Sequence, residues 1–496
     1  MSEVAAEQPA EEDSDDAEIR RLVMAAEIGP RTPDAQKYLI NLAAQERAKW
    51  ADAALAPSAS TPGTRAWENL GPLAARSEFN GTYYKAMDSG RPTAIAVHPG
   101  NPNLTFLATS GGGVWVGDLS GNYPTWQPIT DNLGALAVGA IAIDPNFDTT
   151  TGQVTIWLGL GDAFDQQSGV VVKGTYTPGA AAGVWNAPVV LGTASHPADS
   201  FSTSALNVRQ IRIDPTNTLH MFVGTDDGLY TSVDGGASFQ LVDLPNDGYT
   251  TRENVWEIQY LGNGATGSQW LASGVYACPT LTGATTGTRP PSAGAGAVSC
   301  AGDSNTAHFN KGDFWKSTDG GATWTSIRAA GGLPAVVTQS LGTEVGRIAF
   351  AAAAPTTDGA GNNTTVLYAQ AGTVQESSIT GFTTATSAYM KSVDGGSTWT
   401  RIATGLTLAS PATAATAVTN PTILAGEGQS GCTTMNLGHV QSWYNLTVAV
   451  DPGDSNRALF GGDLCSARTV DGGATYQLAS DWLPQSGLGF TNNGFL

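Results

Sequence analysis

The sequence predicts an all-β fold: a β-propeller of six four-stranded antiparallel blades, or alternatively seven, preceded by a short helical segment. Three observations carry this expectation. A nine-residue phrase recurs as TSVDGGASF at 231–239, KSTDGGATW at 316–324, KSVDGGSTW at 391–399 and RTVDGGATY at 468–476. Its aspartates stand 85, 75 and 77 residues apart, the length of one four-stranded blade with generous loops. A second repeat runs out of phase with the first: AIAVHP at 94–99, AIAIDP at 140–145, QIRIDP at 210–215 and TVAVDP at 447–452 alternate apolar residues and end in an Asp-Pro or His-Pro turn, the pattern of an innermost strand.

The elements follow in chain order. Residues 1–19 hold eight acidic side chains and no basic one, which reads as an acidic disordered leader. Residues 20–64 read as a helical segment and linker: Thr32 suits an N-cap and Pro33 the first helical position, Tyr38, Leu39, Leu42, Ala43 and Trp50 recur at helical spacing, and 57–64 is rich in Ser, Pro and Thr. The propeller then occupies 65–496, with blades expected at about 68–132, 135–203, 206–248, 252–332, 341–408 and 440–482. AWENLGP at 66–72 is an expected outer strand fastening the first blade to the last, which would leave no open edge. GDLSGNYPTW at 117–126 reads as a degenerate copy of the phrase, with Asp118 as its turn residue, and one blade without a copy fits between Asp118 and Asp234.

Each phrase has the chemistry of a tight hairpin turn. Asp234, Asp319, Asp394 and Asp471 suit acceptance of backbone N–H bonds, the glycine pair after each supplies positive φ, and Phe239, Trp324, Trp399 and Tyr476 open the next strand with their rings inward. These phrases resemble the Asp-box, or BNR repeat, of sialidases, sortilin-type receptors, xyloglucan-active hydrolases and photosystem assembly factors. GHVQSWYNLTVAVDP and ALFGGDLCSARTVDGGATY are also similar to bacterial BNR-repeat proteins described as sialidase-like, a similarity that extends over about 66–482. It implies a carbohydrate-active or carbohydrate-binding propeller, a possible glycoside hydrolase. The alternative is a non-catalytic surface or secreted interaction propeller.

The resemblance implies a structural role for the four turn aspartates, on the rim opposite the ligand face. At the ligand face it implies that Arg91, Arg209 and Arg347 converge on a substrate carboxylate, as an arginine triad does in sialidases, with Trp443 stacking on sugar. Tyr444 then stands as nucleophile, Glu253 as its activating carboxylate and Asp162 as acid/base. No Arg-Ile-Pro signature accompanies them; the nearest phrase is SGRPTAIAVHP at 89–99. The plainer reading of Arg91 and Arg347 is that each ties a loop or neighbouring blade through carbonyl oxygens. A paired-carboxylate mechanism would draw on Asp162, Asp165, Asp226, Asp227 and Asp463, with Asp226 and Asp227 also readable as turn residues.

Composition narrows the partners. A net charge of −20, from 23 Lys+Arg against 43 Asp+Glu, excludes a general nucleic-acid footprint. No apolar run is long enough to span a bilayer, so no transmembrane segment is expected. The expected partner is a glycan or protein ligand at the propeller face, with the N-terminal helix as a docking element. Cys278 and Cys300 flank a 21-residue loop and Cys432 and Cys465 can pair across blades, which suits an extracellular or cell-surface protein, whereas four thiols and no evident signal peptide suit the cytoplasm. The five histidines are scattered and no CxxC motif is present, so neither a metal nor a cofactor is expected.

Overall fold

Six blade sheets follow one another along the chain, each beginning where an alternating apolar run begins. The computed structural model describes residues 37–38, 40–42, 44–45, 75–79, 82–86, 91–121, 125–161, 168–191, 207–226, 228–245, 253–277, 310–327, 345–373, 386–403, 437, 442, 445–462 and 465–481. A hairpin of β1 (Ala75–Phe79) and β2 (Thr82–Ala86) comes first. The first blade is β3 (Pro92–His98), β4 (Asn101–Thr109), β5 (Val114–Asp118) and β6 (Thr125–Pro128). The second is β7 (Val138–Phe147), β8 (Val154–Leu160) and β9 (Val170–Tyr176), edged by the short β10 (Val184–Trp185) and β11 (Val189–Val190), both paired to β9. The third is β12 (Val208–Asp214), β13 (Asn217–Thr225), β14 (Gly228–Ser232) and β15 (Gln240–Val242). The fourth is β16 (Asn254–Asn263), β17 (Ser268–Ala277), β18 (Asn310–Ser317) and β19 (Thr325–Ser326). The fifth is β20 (Val345–Ala352), β21 (Leu367–Thr373), β22 (Thr386–Ser392) and β23 (Thr400–Ala403), and the sixth is β24 (Thr447–Val450), β25 (Ala458–Gly461), β26 (Cys465–Thr469) and β27 (Gln477–Asp481).

Within every blade the strands pair in chain order, except that β11 turns back to β9 in the second, so this is an all-β chain of six propeller blades. Two compact units divide it, one from Pro30 to Leu191 with Ala205–Val208, the other holding Arg209–Leu496. The first unit holds the first two blades; the last four fall in the second, apart from Val208 at the start of β12. The first blade begins later than expected: β1 and β2 form a sheet of their own, and the four-stranded sheet starts at Pro92. Of the segment expected to be helical over 20–64, only Lys37, Tyr38, Ile40, Asn41, Leu42, Ala44 and Gln45 are described; they have helical backbone, too few to establish the segment. Residues 1–19, the 66–72 strand, Cys278, Cys300 and Cys432 lie outside the described residues.

The aspartate turns show why the nine-residue phrase repeats. In the third blade Asp234 Oδ1 accepts from the Ser232 hydroxyl at 2.8 Å and from the Ser238 amide at 2.9 Å, while Oδ2 accepts from the Ser238 hydroxyl. Asp319, Asp394 and Asp471 repeat this pattern with Ser317 and Thr323, Ser392 and Thr398, and Thr469 and Thr475. The Ser238 hydroxyl, then its amide, hold the Asp234 carboxyl down to about 2. In the degenerate copy the Asp118 carboxylate accepts the Ser120 amide at 2.9 Å, a shorter turn than the other four.

The turn also clamps the preceding blade. A Cβ on Gly321, Gly396 or Gly473 would meet Phe222, Leu271 or Ile402, each one blade back. The aromatic that follows does the same: Trp324 meets Phe222 edge-on at 5.6 Å, Trp399 stacks on Phe314 at 4.5 Å, and Tyr476 lies 6.0 Å from Tyr389. Burying each such ring is worth roughly 2–3 kcal/mol, with about 1 kcal/mol more from the aromatic pair. Lysines reach the other way, Lys316 Nζ to Ser397 Oγ at 2.6 Å and Lys391 Nζ to the Gly472 carbonyl at 3.1 Å. One phrase therefore both reverses the chain and fixes blade spacing.

Candidate functional site

First strands of neighbouring blades lie against one another, β3 on β7 in one unit and β16 on β20 and β20 on β24 in the other. Four of these strands slip register near their start: β3 between Pro92 and Ala94, β7 between Val138 and Ala140, β16 between Val255 and Glu257, and β20 between Val345 and Ile348. A bulge of this kind inserts an unpaired residue and re-aims its side chain. In β16 that residue is Trp256, and in β20 the slip takes in Gly346 and Arg347.

Trp256 is the centre of a stack. The guanidinium carbon of Arg209, on β12, stands 3.6 Å from its ring centroid, and that of Arg347, on β20, stands 3.8 Å from the same point. At one van der Waals thickness each, the two cations occupy opposite faces of the indole. Stacking engages the face of a guanidinium and directs its N–H donors into its own plane. Arg347 donates one of them, Nη2, to the Leu446 carbonyl at 3.0 Å and so also ties the fifth blade to the sixth.

Beside the stack Glu257 is half-buried. Gln210 of β12 bonds it and the next residue: its Nε2 donates to Glu257 Oε2 at 2.8 Å, and its Oε1 accepts from the Ile258 amide. Arg212 Nε donates to the Ile258 carbonyl at 3.0 Å. Burial pushes the Glu257 carboxyl above its ordinary range, against the pull of Arg347 and Arg212. Glu253, 5% exposed, precedes the strand. Among the described residues, three arginines, Arg209, Arg212 and Arg347, and two glutamates, Glu253 and Glu257, stand on or just before these inner strands, in a chain of net charge −20.

Of the residues expected from sequence, Arg209 on β12, Glu253 just before β16 and Arg347 on β20 belong to one unit. Arg91 belongs to the other unit, where its Nη2 donates to Ser110 Oγ at 2.9 Å. Asp162, Trp443 and Tyr444 lie outside the described residues, as do Asp165, Asp227 and Asp463. Asp226 sits in the turn between β13 and β14, which the Thr225 hydroxyl closes onto the Gly228 carbonyl at 2.8 Å. Trp256, Glu257, Gln210 and Arg212 were not expected. Their signal was present as charged and amide side chains inside the apolar alternations QIRID and NVWEIQYL. Among the described residues no group of His, Cys, Asp and Glu is placed to hold a metal ion, and no helix is long and apolar enough to cross a membrane.

No family model matches the chain, and no curated protein matches it. Solved structures resemble it at a distance. The GH74 xyloglucanase from Xanthomonas campestris is 16% identical over 78% of this chain and 54% of that one, with a TM-score of 0.38. A PL25 ulvan lyase is 12% identical over 80% of this chain and 86% of that one, with a TM-score of 0.38. YCF48 from Cyanidioschyzon merolae is 13% identical over 63% of this chain and 76% of that one, with a TM-score of 0.28. The chain thus spans about half the length of the xyloglucanase. At these identities the function rests on this chain's own residues.

Proposed function

We propose that this chain is an Asp-box propeller of the sialidase-like type that binds an acidic carbohydrate where the inner strands begin, outside the cell or on its surface. The observation that carries the reading is the Arg209–Trp256–Arg347 stack. Two guanidinium groups held against one indole form a preorganised cationic pair, a clamp on the indole whose combined field and outward N–H donors suit an acidic sugar. Both faces of Trp256 are covered by cations, so selection by charge outweighs stacking of Trp256 on a neutral sugar ring.

In the catalytic form of the same reading, Tyr444 is the nucleophile, Glu253 its activating carboxylate and Trp443 a substrate contact. Calorimetry with sialyllactose, and with lactose as the neutral control, tests the binding reading. Arg209→Ala should weaken the acidic ligand by about 10-fold or more, the worth of one charge-assisted hydrogen-bonded pair. Equal affinity for lactose, or no loss in Arg209→Ala, overturns it. Turnover of an aryl sialoside that disappears in Tyr444→Phe supports the catalytic form, and failure to turn over any of a panel of aryl glycosides removes it.

A further inference from the structure

We propose that Glu257 is a built-in competitor for the cationic clamp, so that the site holds its anionic ligand more tightly when acidification protonates this residue. The inference rests on the acidic-ligand reading above and adds its regulation. The register slip at Val255/Glu257 sets Trp256 and Glu257 side by side at the start of β16, so the indole that carries both clamp arginines and the carboxylate that opposes them belong to consecutive residues. Gln210 fixes the carboxylate there, since its amide bonds Glu257 Oε2 and the Ile258 N–H together and cannot rotate without losing both. When ionised, the carboxylate is therefore a negative charge held next to the clamp.

The charges that act on it are Arg347 from β20 and Arg212 from β12, while Arg209 of β12 stands on its neighbour Trp256 and Glu253 lies four residues before it in the chain. β17, its paired neighbour, sets Ser273 opposite Glu257, and Asp214 with His220 of β13 stands at the far end of β12. Arg347 and Arg212 act on Glu257 through charge, and by reciprocity an ionised Glu257 neutralises part of the field an incoming anion would feel. Burial moves the proton uptake of Glu257 upward. A sugar carboxylate ionises near about 3.5, so on acidification Glu257 takes up its proton before the ligand does.

The experiment is a series of sialyllactose titrations between about pH 7.5 and about pH 4.5 on the full chain and on Glu257→Gln, the neutral isostere that keeps the Gln210 contact. Wild type should bind about 10-fold more tightly at the acidic end, and Glu257→Gln should hold that tighter affinity across the range. A variant that keeps the wild-type pH dependence, or binds no more tightly than wild type at neutral pH, overturns the inference. The ligand-free protein gives a second readout: the part of the tryptophan emission that Trp256→Phe removes should titrate in wild type and stay flat in Glu257→Gln. If that titration is seen while sialyllactose binds nowhere, the competitor stands and the acidic-sugar reading fails; if Glu257→Gln titrates like wild type, the competitor itself is refuted.

Discussion

Adding one methyl group at Gly321 separates the two roles assigned to the aspartate turns. Gly321 has φ +85°, and a Cβ there would lie 2.2 Å from Cζ of Phe222. Phe222 has no room to yield: it is fully buried and ringed by His220 at 4.7 Å, Trp270 at 4.9 Å and Trp324 at 5.6 Å. Gly321→Ala therefore carries two penalties, about 1 kcal/mol or somewhat more for the left-handed backbone and about 2 kcal/mol for overpacking a core ring. Gly361 supplies the control: its φ is +84° and a methyl group there would meet nothing within 4 Å, so Gly361→Ala carries only the first penalty. Urea unfolding followed by tryptophan emission should separate the two variants by about 2 kcal/mol, and Phe222→Leu should recover about half of that gap in the Gly321→Ala background. Equal losses in the two glycine variants, with no rescue, would refute the claim that the turn positions the preceding blade.

Three other expectations follow from the same contacts. Asp234 titrates below its ordinary 3.8, near about 2, so its contribution to stability is whole above the unfolded value and lost as pH falls towards 2; Asp234→Asn should cost about 1 kcal/mol at pH 7 after allowance for solvent screening, a deficit that shrinks in acid-unfolding curves below about pH 3. Lys391→Met keeps the stem beside Tyr368 but loses the bond to the Gly472 carbonyl, and should cost about 1 kcal/mol in urea, whereas Arg468→Met, whose 3.3 Å bond to Gln477 stays within its own blade, should cost about half of that or less. Gln210→Ala strips the Ile258 amide and Glu257 of a partner at once and should destabilise by about 2 kcal/mol, read as faster amide exchange at Ile258.

The blades were legible because their signals are local. Alternation and an Asp-Pro turn specify the first strand of a blade, and the S/T-x-D-G-G-x-S/T phrase needs only residues within five positions to form its bonds. The second blade was legible as a gap in the phrase, and the gap has a structural counterpart in an outer edge shared by two strands of two residues each, β10 and β11. The first blade starts later than the expected 68 because β1 and β2 pair only with each other, and nothing local in the sequence says whether a hairpin joins a sheet or stands alone. His98 shows how chemistry survives substitution: where other inner strands end in Asp, its Nδ1 accepts the Gly100 amide at 3.0 Å and its Nε2 meets the Gly152 carbonyl at 2.8 Å.

The candidate site was only half legible for a different reason. Arg209, Arg347 and Glu253 were found because they stand at strand starts, where polar residues are conspicuous. Trp256 and Glu257 were missed because strand reading assumes a period of two, and the bulge in β16 breaks that period at these residues. Paired without a bulge, adjacent residues point to opposite faces and a Trp-Glu pair reads as one inward and one outward side chain. With the slip, both contribute to a single cluster alongside Gln210 and Arg347. The same defect recurs near the start of β3, β7 and β20, where Thr93, Gly139 and Arg347 fall within the slipped stretches and Thr93 Oγ1 donates to the Val138 carbonyl of the next blade. Four inner strands thus break regular pairing near their start. Variation confined to those slipped positions changes what the inner strands present while the aspartate turns go on holding the blades in place.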